Sequence, residues 1–432
     1  MGVKMNKFGL LIMSKVENES YQDLTYAKAN IGDAIQTIAI RYLFAKMNIR
    51  NEDIVEIGID ELKKYDGDPV NMPLIGVFER NTVMNRFPCS PKINPIFICS
   101  LMYDDVLKEN EELINYLQKY APIGCRDERT RDIFRQYDID AYMMGCISLV
   151  LPKRDKDPIL DKVFLIDIPH SVEKFLPITL KEQSECVCHE INLEEYPISK
   201  REYLRIESIA SQKLETYRNE AGLVITSRLH AAAPCIAMGI PTIVVSNNFD
   251  YRFAWIDKFT RLYSVDEFSE INWAPEKADI ENIRKKLFDV WKNIITGNLK
   301  EYKKNLVLID DLYMQRIKTD YFKSFKKTLS NLEVTPGDTY AIWGAGQHCD
   351  YIIMLMNQIW PEVRLKAIFD KYKRGSINCI SITDSEKEND YNYDFIFITT
   401  LPGMKEAIKK LEQKGKKRDI DYFIMISKEV GE

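Results

Sequence analysis

The 432-residue chain has no surplus of positive charge: 60 Lys and Arg stand against 65 Asp and Glu, for a formal net charge of −5. Without a global positive field, a nucleic-acid role would need a local patch, and none is expected. No apolar run approaches the roughly 18 residues that a membrane span needs. The N-terminal run Phe8 to Met13 is also too short for a signal-peptide core. The nine cysteines are odd in number and form no disulfide framework; several have strongly apolar neighbours, which reads as reduced, largely buried thiols. The expectation is a soluble, cytoplasmic protein. No internal repeat or low-complexity segment occurs. What is present, 45% apolar and 29% charged residues with 23 Tyr and 19 Phe, is the make-up of packed globular domains. At roughly 150 residues per domain the length implies two or three of them.

Short apolar runs alternate with helical patterns. Residues 8–13 read as a buried strand, and Asn30-Ile31-Gly32-Asp33 opens a helix running to Phe44. Further strands are expected at Ile54–Ile57, Leu74–Phe78, Ile96–Ser100 and Ile123–Cys125, with a helix over Glu128–Tyr137. A second unit starts after Leu151-Pro152: strand Val163–Ile168, strand Leu223–Thr226, helix Ser227–Met238, turn Gly239-Ile240-Pro241 and strand Thr242–Val245, a βαβ unit. An amphipathic helix follows from Asp279 to Gly297, and a longer one carries Ile309, Tyr313, Ile317, Tyr321 and Phe325 on one stripe. Pro336-Gly337-Asp338 breaks the pattern. A third alternation comprises strands at Thr339–Trp343, Leu365–Phe369, Phe395–Thr399 and Tyr422–Ile426, and a helix over Met404–Gln413. The expected fold class is α/β, with domains at 1–155, 156–332 and 338–432.

Candidate chemistry lies where strands hand over to helices, because backbone N–H groups and the helix dipole converge there and favour anions. Thr226-Ser227-Arg228-Leu229-His230 is such a crossing. Arg228 supplies a permanently charged fork for carboxylate or phosphate, and His230 a group that titrates near neutrality. The structural alternative makes Arg228 a surface cation and His230 a satisfied first-turn histidine. Arg126 opens a second crossing and completes an anion clamp, or else pairs with Asp127 or Glu128. At the third, Gly32 allows close backbone approach, while Asp33 caps the helix or accepts a hydroxyl proton.

Taken together, Asn30-x-Gly32-Asp33-x-x-Gln36, Arg126-Asp127-x-x-Thr130, Gly145-Cys146-x-Ser148-Leu149, Thr226-x-Arg228-Leu229-His230 with Gly239-x-Pro241, and Asp250-x-Arg252 resemble the polysaccharide pyruvyl transferase family over about residues 8–330. The resemblance implies two Rossmann-like halves facing one cleft in a GT-B-like arrangement, with the long helix after Asn305 crossing back. It implies transfer of a pyruvyl unit from phosphoenolpyruvate to a sugar diol as a cyclic ketal, in bacterial surface-polysaccharide biosynthesis. Arg126, Arg228, Leu229 and His230 would be the donor-binding and catalytic positions, with Asn30, Gly32, Asp33, Asp250 and Arg252 on the substrate. His230 is the candidate acid for the methylene carbon; Asp33 and Asp250 are the only candidates for a base. The acceptor would be a nucleotide- or lipid-linked glycan, whose ketalised hydroxyls, like the oligomeric state, the residues do not identify.

Other features carry alternatives. Pro169-His170 faces the same cleft or solvent. Cys186-x-Cys188-His189 lacks a second Cys/His pair at structural-zinc spacing, so no metal is expected. Lys409, Lys410, Lys414, Lys416, Lys417 and Arg418 form a solvated helix end or a peripheral contact with an anionic membrane. In the C-terminal domain, which resembles small Rossmann-like add-ons of polysaccharide-modifying enzymes, Gly344-Ala345-Gly346 and Asp370 suit a nucleotide, although Cys349 replaces the third glycine. Two rival functions follow: a GT-B-type glycosyltransferase using a nucleotide sugar, and an NAD-binding oxidoreductase or non-catalytic binding protein acting through this domain.

Overall fold

The alternation of short apolar runs with helices produces parallel sheets in the computed structural model. It describes residues 7–13, 27–78, 86–102, 106–108, 110–158, 160–247, 249, 251–253, 255–295, 299–315, 325, 328–377, 380–400 and 403–426. Two compact units result, Met1–Arg316 and Ile317–Glu432.

The first unit opens with β1 (Lys7–Ile12), β2 (Lys28–Asn30), α1 (Gly32–Lys46), β3 (Ile54–Gly58), β4 (Val70–Phe78), β5 (Ile93–Met102), α2 (Glu111–Lys119), β6 (Ile123–Cys125), α3 (Glu128–Gln136) and β7 (Ala141–Met143). Six of these strands form an all-parallel sheet, ordered β3-β1-β4-β5-β6-β7. Leu10, Leu11 and Ile12 are at most 2% exposed, as continuous apolar strands must be when both faces of a parallel sheet are covered. Helix α1 contributes Ile35, Ala39, Ile40, Leu43 and Phe44 to the same core.

A second all-parallel sheet contains β8 (Lys162–Ile166), β9 (Ser184–Val187), β11 (Ala221–Thr226), β12 (Thr242–Ser246) and β13 (Leu262–Ser264), ordered β13-β12-β11-β8-β9. Its helices are α4 (Lys200–Glu220) and α5 (Leu229–Ala237). The expected βαβ unit is present, with its helix beginning at Leu229 instead of Ser227. The expected strand Val163–Ile168 stops at Ile166, because Asp167 takes a left-handed backbone (φ 48) that ends the ladder. Strand β10 (Glu190–Asn192) leaves this sheet and pairs antiparallel with β2, setting Glu190 opposite Asn30 and Asn192 opposite Lys28. This three-residue ribbon has no periodic signature, and sequence reasoning missed it along with β9 and α4.

Helices α6 (Glu281–Ile295) and α7 (Leu299–Gln315) return to the first sheet. Trp291 meets Phe44 edge-on at 6.0 Å, and Asp310 Oδ1 accepts from the Met143 N–H (2.7 Å) and Arg131 Nη1 (3.0 Å). Gly297, Ile317 and Tyr321 lie outside the described residues. No helix among the described residues is long and apolar enough to cross a membrane. Of the eight described cysteines, six are buried, and Cys186 and Cys188 are exposed.

The second unit builds β14 (Thr339–Trp343), α8 (Gln347–Ile359), β15 (Arg364–Asp370), β16 (Ser376–Ile377), β17 (Ile380–Asp384), β18 (Phe395–Ile398), α9 (Met404–Gln413) and β19 (Tyr422–Ile424). Its sheet order is β16-β17-β15-β14-β18-β19, parallel except for the β16–β17 pair. The fold is therefore mixed α/β with parallel sheets of Rossmann-like type and a further C-terminal sheet.

Candidate anion site in the first unit

At the β11–α5 crossing, Thr226 Oγ1 donates to Ile166 O (3.1 Å) and accepts from the Arg228 N–H (2.9 Å). This turn places Arg228 at the N-cap of α5 in an extended conformation, and no side chain caps the helix. The first N–H groups of α5, at Leu229 and His230, are thus left for an outside acceptor. The helix is held rigidly, with Ala231 to Ala237 all buried.

At the β6–α3 crossing, Arg126 is 3% exposed. Its N–H donates to Ser100 O (2.7 Å), its Nη2 donates to Gln36 Oε1 (3.1 Å), and its Nε has no acceptor among the described residues. The alternative in which Arg126 pairs with Asp127 or Glu128 is not what forms. Asp127 instead caps α3, accepting from the Thr130 N–H (2.8 Å) and Oγ1 (3.1 Å), while Glu128 pairs with Lys258 Nζ (2.7 Å). Burial, with a smaller push from Glu128, lifts the Asp127 carboxyl to about 7 against its Thr130 bonds.

At the β2–α1 crossing, Asn30 Oδ1 accepts from the Gly32 N–H (2.9 Å), and the Ile31 N–H donates to His189 O (3.0 Å). Gly32 packs directly on His230: a Cβ there would sit 2.7 Å from Nδ1 and 2.9 Å from the His230 Cβ. Asp33 is exposed in the first turn of α1.

These crossings converge on a cavity of about 650 Å³ lined by Asn30, Asp33, Arg126, Arg228, Leu229, His230 and Arg252. Gly32 lies beneath His230, and Asp250 falls outside the described residues. Lys28, Gln36, Arg86 and Ser227 also line it. Sequence reasoning noted Gln36 and Ser227 within their motifs but assigned them no role, and missed Lys28 and Arg86; lysine and arginine in polar stretches carry no local signal of what they face. His170 is fully exposed beside Glu173 (2.8 Å) and is not among the residues lining this cavity.

Arg228 is neither an isolated surface cation nor an unencumbered clamp. Its Nε donates to Asp167 Oδ2 (2.9 Å) and its Nη2 to Glu190 Oε1 (2.8 Å). Although burial opposes ionisation, the His189 N–H, the Cys188 thiol and Arg228 hold the Asp167 carboxyl below its ordinary range. His230 is pushed well below the ordinary imidazole range, first by burial and then by Arg126, His189 and Arg252, and its Nε2 has no partner among the described residues. It is therefore neutral at neutral pH in the unliganded protein. His189 is buried, shares a hydrogen bond with the Tyr217 hydroxyl (2.9 Å) and is lowered by burial to about 4. Among the described residues no group of three or more His, Cys, Asp or Glu side chains is placed to hold a metal ion.

In the second unit, Gly344 has φ 111, and a Cβ there would meet the Thr400 N at 2.9 Å, so the turn after β14 requires glycine. Around Gly346 the space is open. Asp370 Oδ2 accepts from the Ala345 N–H (2.9 Å), and Oδ1 from the Tyr372 and Lys373 N–H groups (2.9 and 2.8 Å). Its carboxylate closes the glycine loop.

Fold and site together define an α/β protein with a cavity at strand-to-helix crossings of its parallel sheets, lined by a buried guanidinium and a buried imidazole. Residues 107–248 match the family model described as polysaccharide pyruvyl transferase, so the family expectation holds over that segment. The matched stretch includes Arg126, Gly145 and Arg228 to His230; Asn30, Gly32, Asp33 and Arg252 lie outside it. No curated protein matches the chain. Among solved structures, a functionally uncharacterized protein from Klebsiella pneumoniae subsp. pneumoniae aligns at 13% identity, over 58% of this chain and 89% of that chain, with a TM-score of 0.36.

Proposed function

We propose that the cavity binds phosphoenolpyruvate and transfers its pyruvyl unit to two hydroxyls of a nucleotide- or lipid-linked sugar, forming a cyclic ketal and phosphate. The observation that carries this reading is Arg126: a buried guanidinium whose Nε has no acceptor among the described residues, lining one cavity with the uncapped start of α5 and with His230. A buried donor without an acceptor is costly unless an anion completes it. A donor carrying both carboxylate and phosphate uses Arg126, Arg228 and the α5 N–H groups at once.

The electrostatics suit the chemistry. His230 starts neutral, and the arriving anions reverse the positive field that depresses it, so the imidazolium forms only with donor bound. It then protonates the methylene carbon, leaving C2 oxocarbenium-like. One sugar hydroxyl adds to C2, phosphate departs with the electrons of its C–O bond, and the second hydroxyl closes the ketal. Of the two hydroxyl protons, one restores His230 and the other leaves on phosphate. In this reading Asp33, which lines the cavity, accepts one of them in passing. Arg126 offsets the charge that develops on the leaving group, and Arg228 adds an oriented hydrogen-bond donor to it.

The test is incubation with phosphoenolpyruvate and a panel of glycan acceptors, following phosphate release and the product mass. Release with the mass gain of a ketal-linked pyruvate, lost in Arg126→Ala and His230→Ala, supports the reading. Stabilisation by a nucleoside diphosphate or a nucleotide sugar but not by phosphoenolpyruvate would replace it with glycosyl transfer.

A further inference from the structure

We propose that Asp167 is a positioning residue that aims the Arg228 guanidinium at the donor anion; this rests on the reading of the cavity as a phosphoenolpyruvate site. Asp167 ends β8 with a left-handed backbone (φ 48), a conformation that aspartate tolerates and that turns its side chain out of the ladder. Its backbone N–H, its carbonyl oxygen and its Oδ2 are each held. Its N–H donates to Val187 O (3.1 Å), and its carbonyl accepts from Ser227 Oγ (2.5 Å), one residue before Arg228. The carboxylate Oδ2 accepts from the His189 N–H (3.0 Å) and from Arg228 Nε (2.9 Å).

Glu190, the other carboxylate on Arg228, is not so held. Its side chain is 39% exposed against 15% for Asp167, and it is shared with Lys28 at 3.8 Å. Asp167 therefore sets the plane of the guanidinium through Nε. Arg228 Nη1 has no partner among the described residues and is the edge left for substrate. This edge counts as an oriented donor rather than as net charge, because two carboxylates already neutralise the arginine.

That distinction gives the test its sign. If only charge mattered, Asp167→Asn would remove a negative group and tighten donor binding. If orientation matters, Asp167→Asn raises KM for phosphoenolpyruvate by about tenfold or more, and adds nothing further in an Arg228→Ala background. Thermal melting checks that the variants fold. An unchanged or lowered KM, or an equal penalty in the Arg228→Ala background, overturns the proposal and leaves the donor assignment standing.

The Arg228 Nε–H resonance in ¹⁵N-labelled protein is read in parallel. Slow exchange in the wild type, lost in Asp167→Asn, supports positioning even if no phosphoenolpyruvate turnover is found, in which case only the reading of the cavity fails. Exchange as fast as that of exposed arginines in the wild type overturns the proposal, and this wild-type measurement stands even if the variant does not fold.

Discussion

Arg126 donates from Nη2 to Gln36 Oε1 at 3.1 Å and from Nε to no described residue, although 97% of its surface is out of solvent's reach, leaving only the 3% that remains exposed. The pair joins the start of α3 to α1 across the cavity that both line, and it leaves one buried donor for a ligand.

Removing Arg126 should separate stability from activity. A buried charge with an unmet donor contributes little to folding, and an apolar replacement of similar length is often neutral or stabilising. Arg126→Met is expected to melt at or above the wild-type temperature while phosphate release falls by about 10²- to 10³-fold, the usual effect of losing one preorganised donor. Calorimetry and a phosphate assay on the same preparation decide it; full activity would sink the assignment.

Binding of the donor should take up a proton. His230 is depressed in the unliganded protein by burial and by positive neighbours. An anion that raises its proton affinity must itself bind more tightly as pH falls through neutrality. Titration calorimetry in buffers of different ionisation enthalpy should show proton uptake beyond the donor's own titration, and His230→Asn should abolish that excess.

Acid stability should also carry the mark of a buried histidine. The unfolded chain protonates His189 near its ordinary 6.5, but the folded protein only near 4. The unfolded state thus binds more protons between those values. The stability present above pH 6.5 is lost as pH falls toward 4. His189→Gln should flatten this slope in urea titrations; an unchanged slope would show that other groups govern it.

Gly32→Ala should reach the chemistry through packing. The added methyl would stand 2.7 Å from His230 Nδ1, so the imidazole or the start of α1 must move. Overpacking of this kind costs about 1–3 kcal/mol. Activity should fall further than stability does, because His230 is the group displaced. Equal activity at unchanged melting temperature would show that α1 gives way instead.

Gly145→Ala tests the other end of the first sheet. Gly145 has φ 71, and a Cβ there would collide with the Tyr313 hydroxyl on α7. Strain and collision together should destabilise by about 2 kcal/mol or more. Tyr313→Phe should recover only the part due to the hydroxyl, measured as a double-mutant cycle in denaturant.

Much of the fold was legible because its strands and helices are written in local apolar spacing. The runs at 8–13, 223–226 and 242–245 are read as strands without reference to anything distant, and each becomes one. The ribbon between β2 and β10 was not legible, since Lys28-Ala29-Asn30 and Glu190-Ile191-Asn192 have no period of their own and exist only as each other's partners. The strand expected through Ile168 stopped at Ile166, because the next residue, Asp167, takes a positive φ and bonds to Val187, His189 and Arg228, none of which is its neighbour in sequence.

The site divides the same way. The sequence by itself determined which residue types stand at the three strand-to-helix crossings, because caps, turns and helix starts are settled within a few residues. It also determined that arginine and histidine stand at those crossings in a chain of net charge −5. Only the tertiary structure decided which are available. Arg126 bonds Gln36, 90 positions away, and keeps a donor without an acceptor among the described residues, while Arg228 is bound by Asp167, 61 positions away. His230 lost its charge to burial and to arginines from two other segments. Burial and through-space electrostatics depend on what folds against a residue, and neither is encoded in its neighbours along the chain.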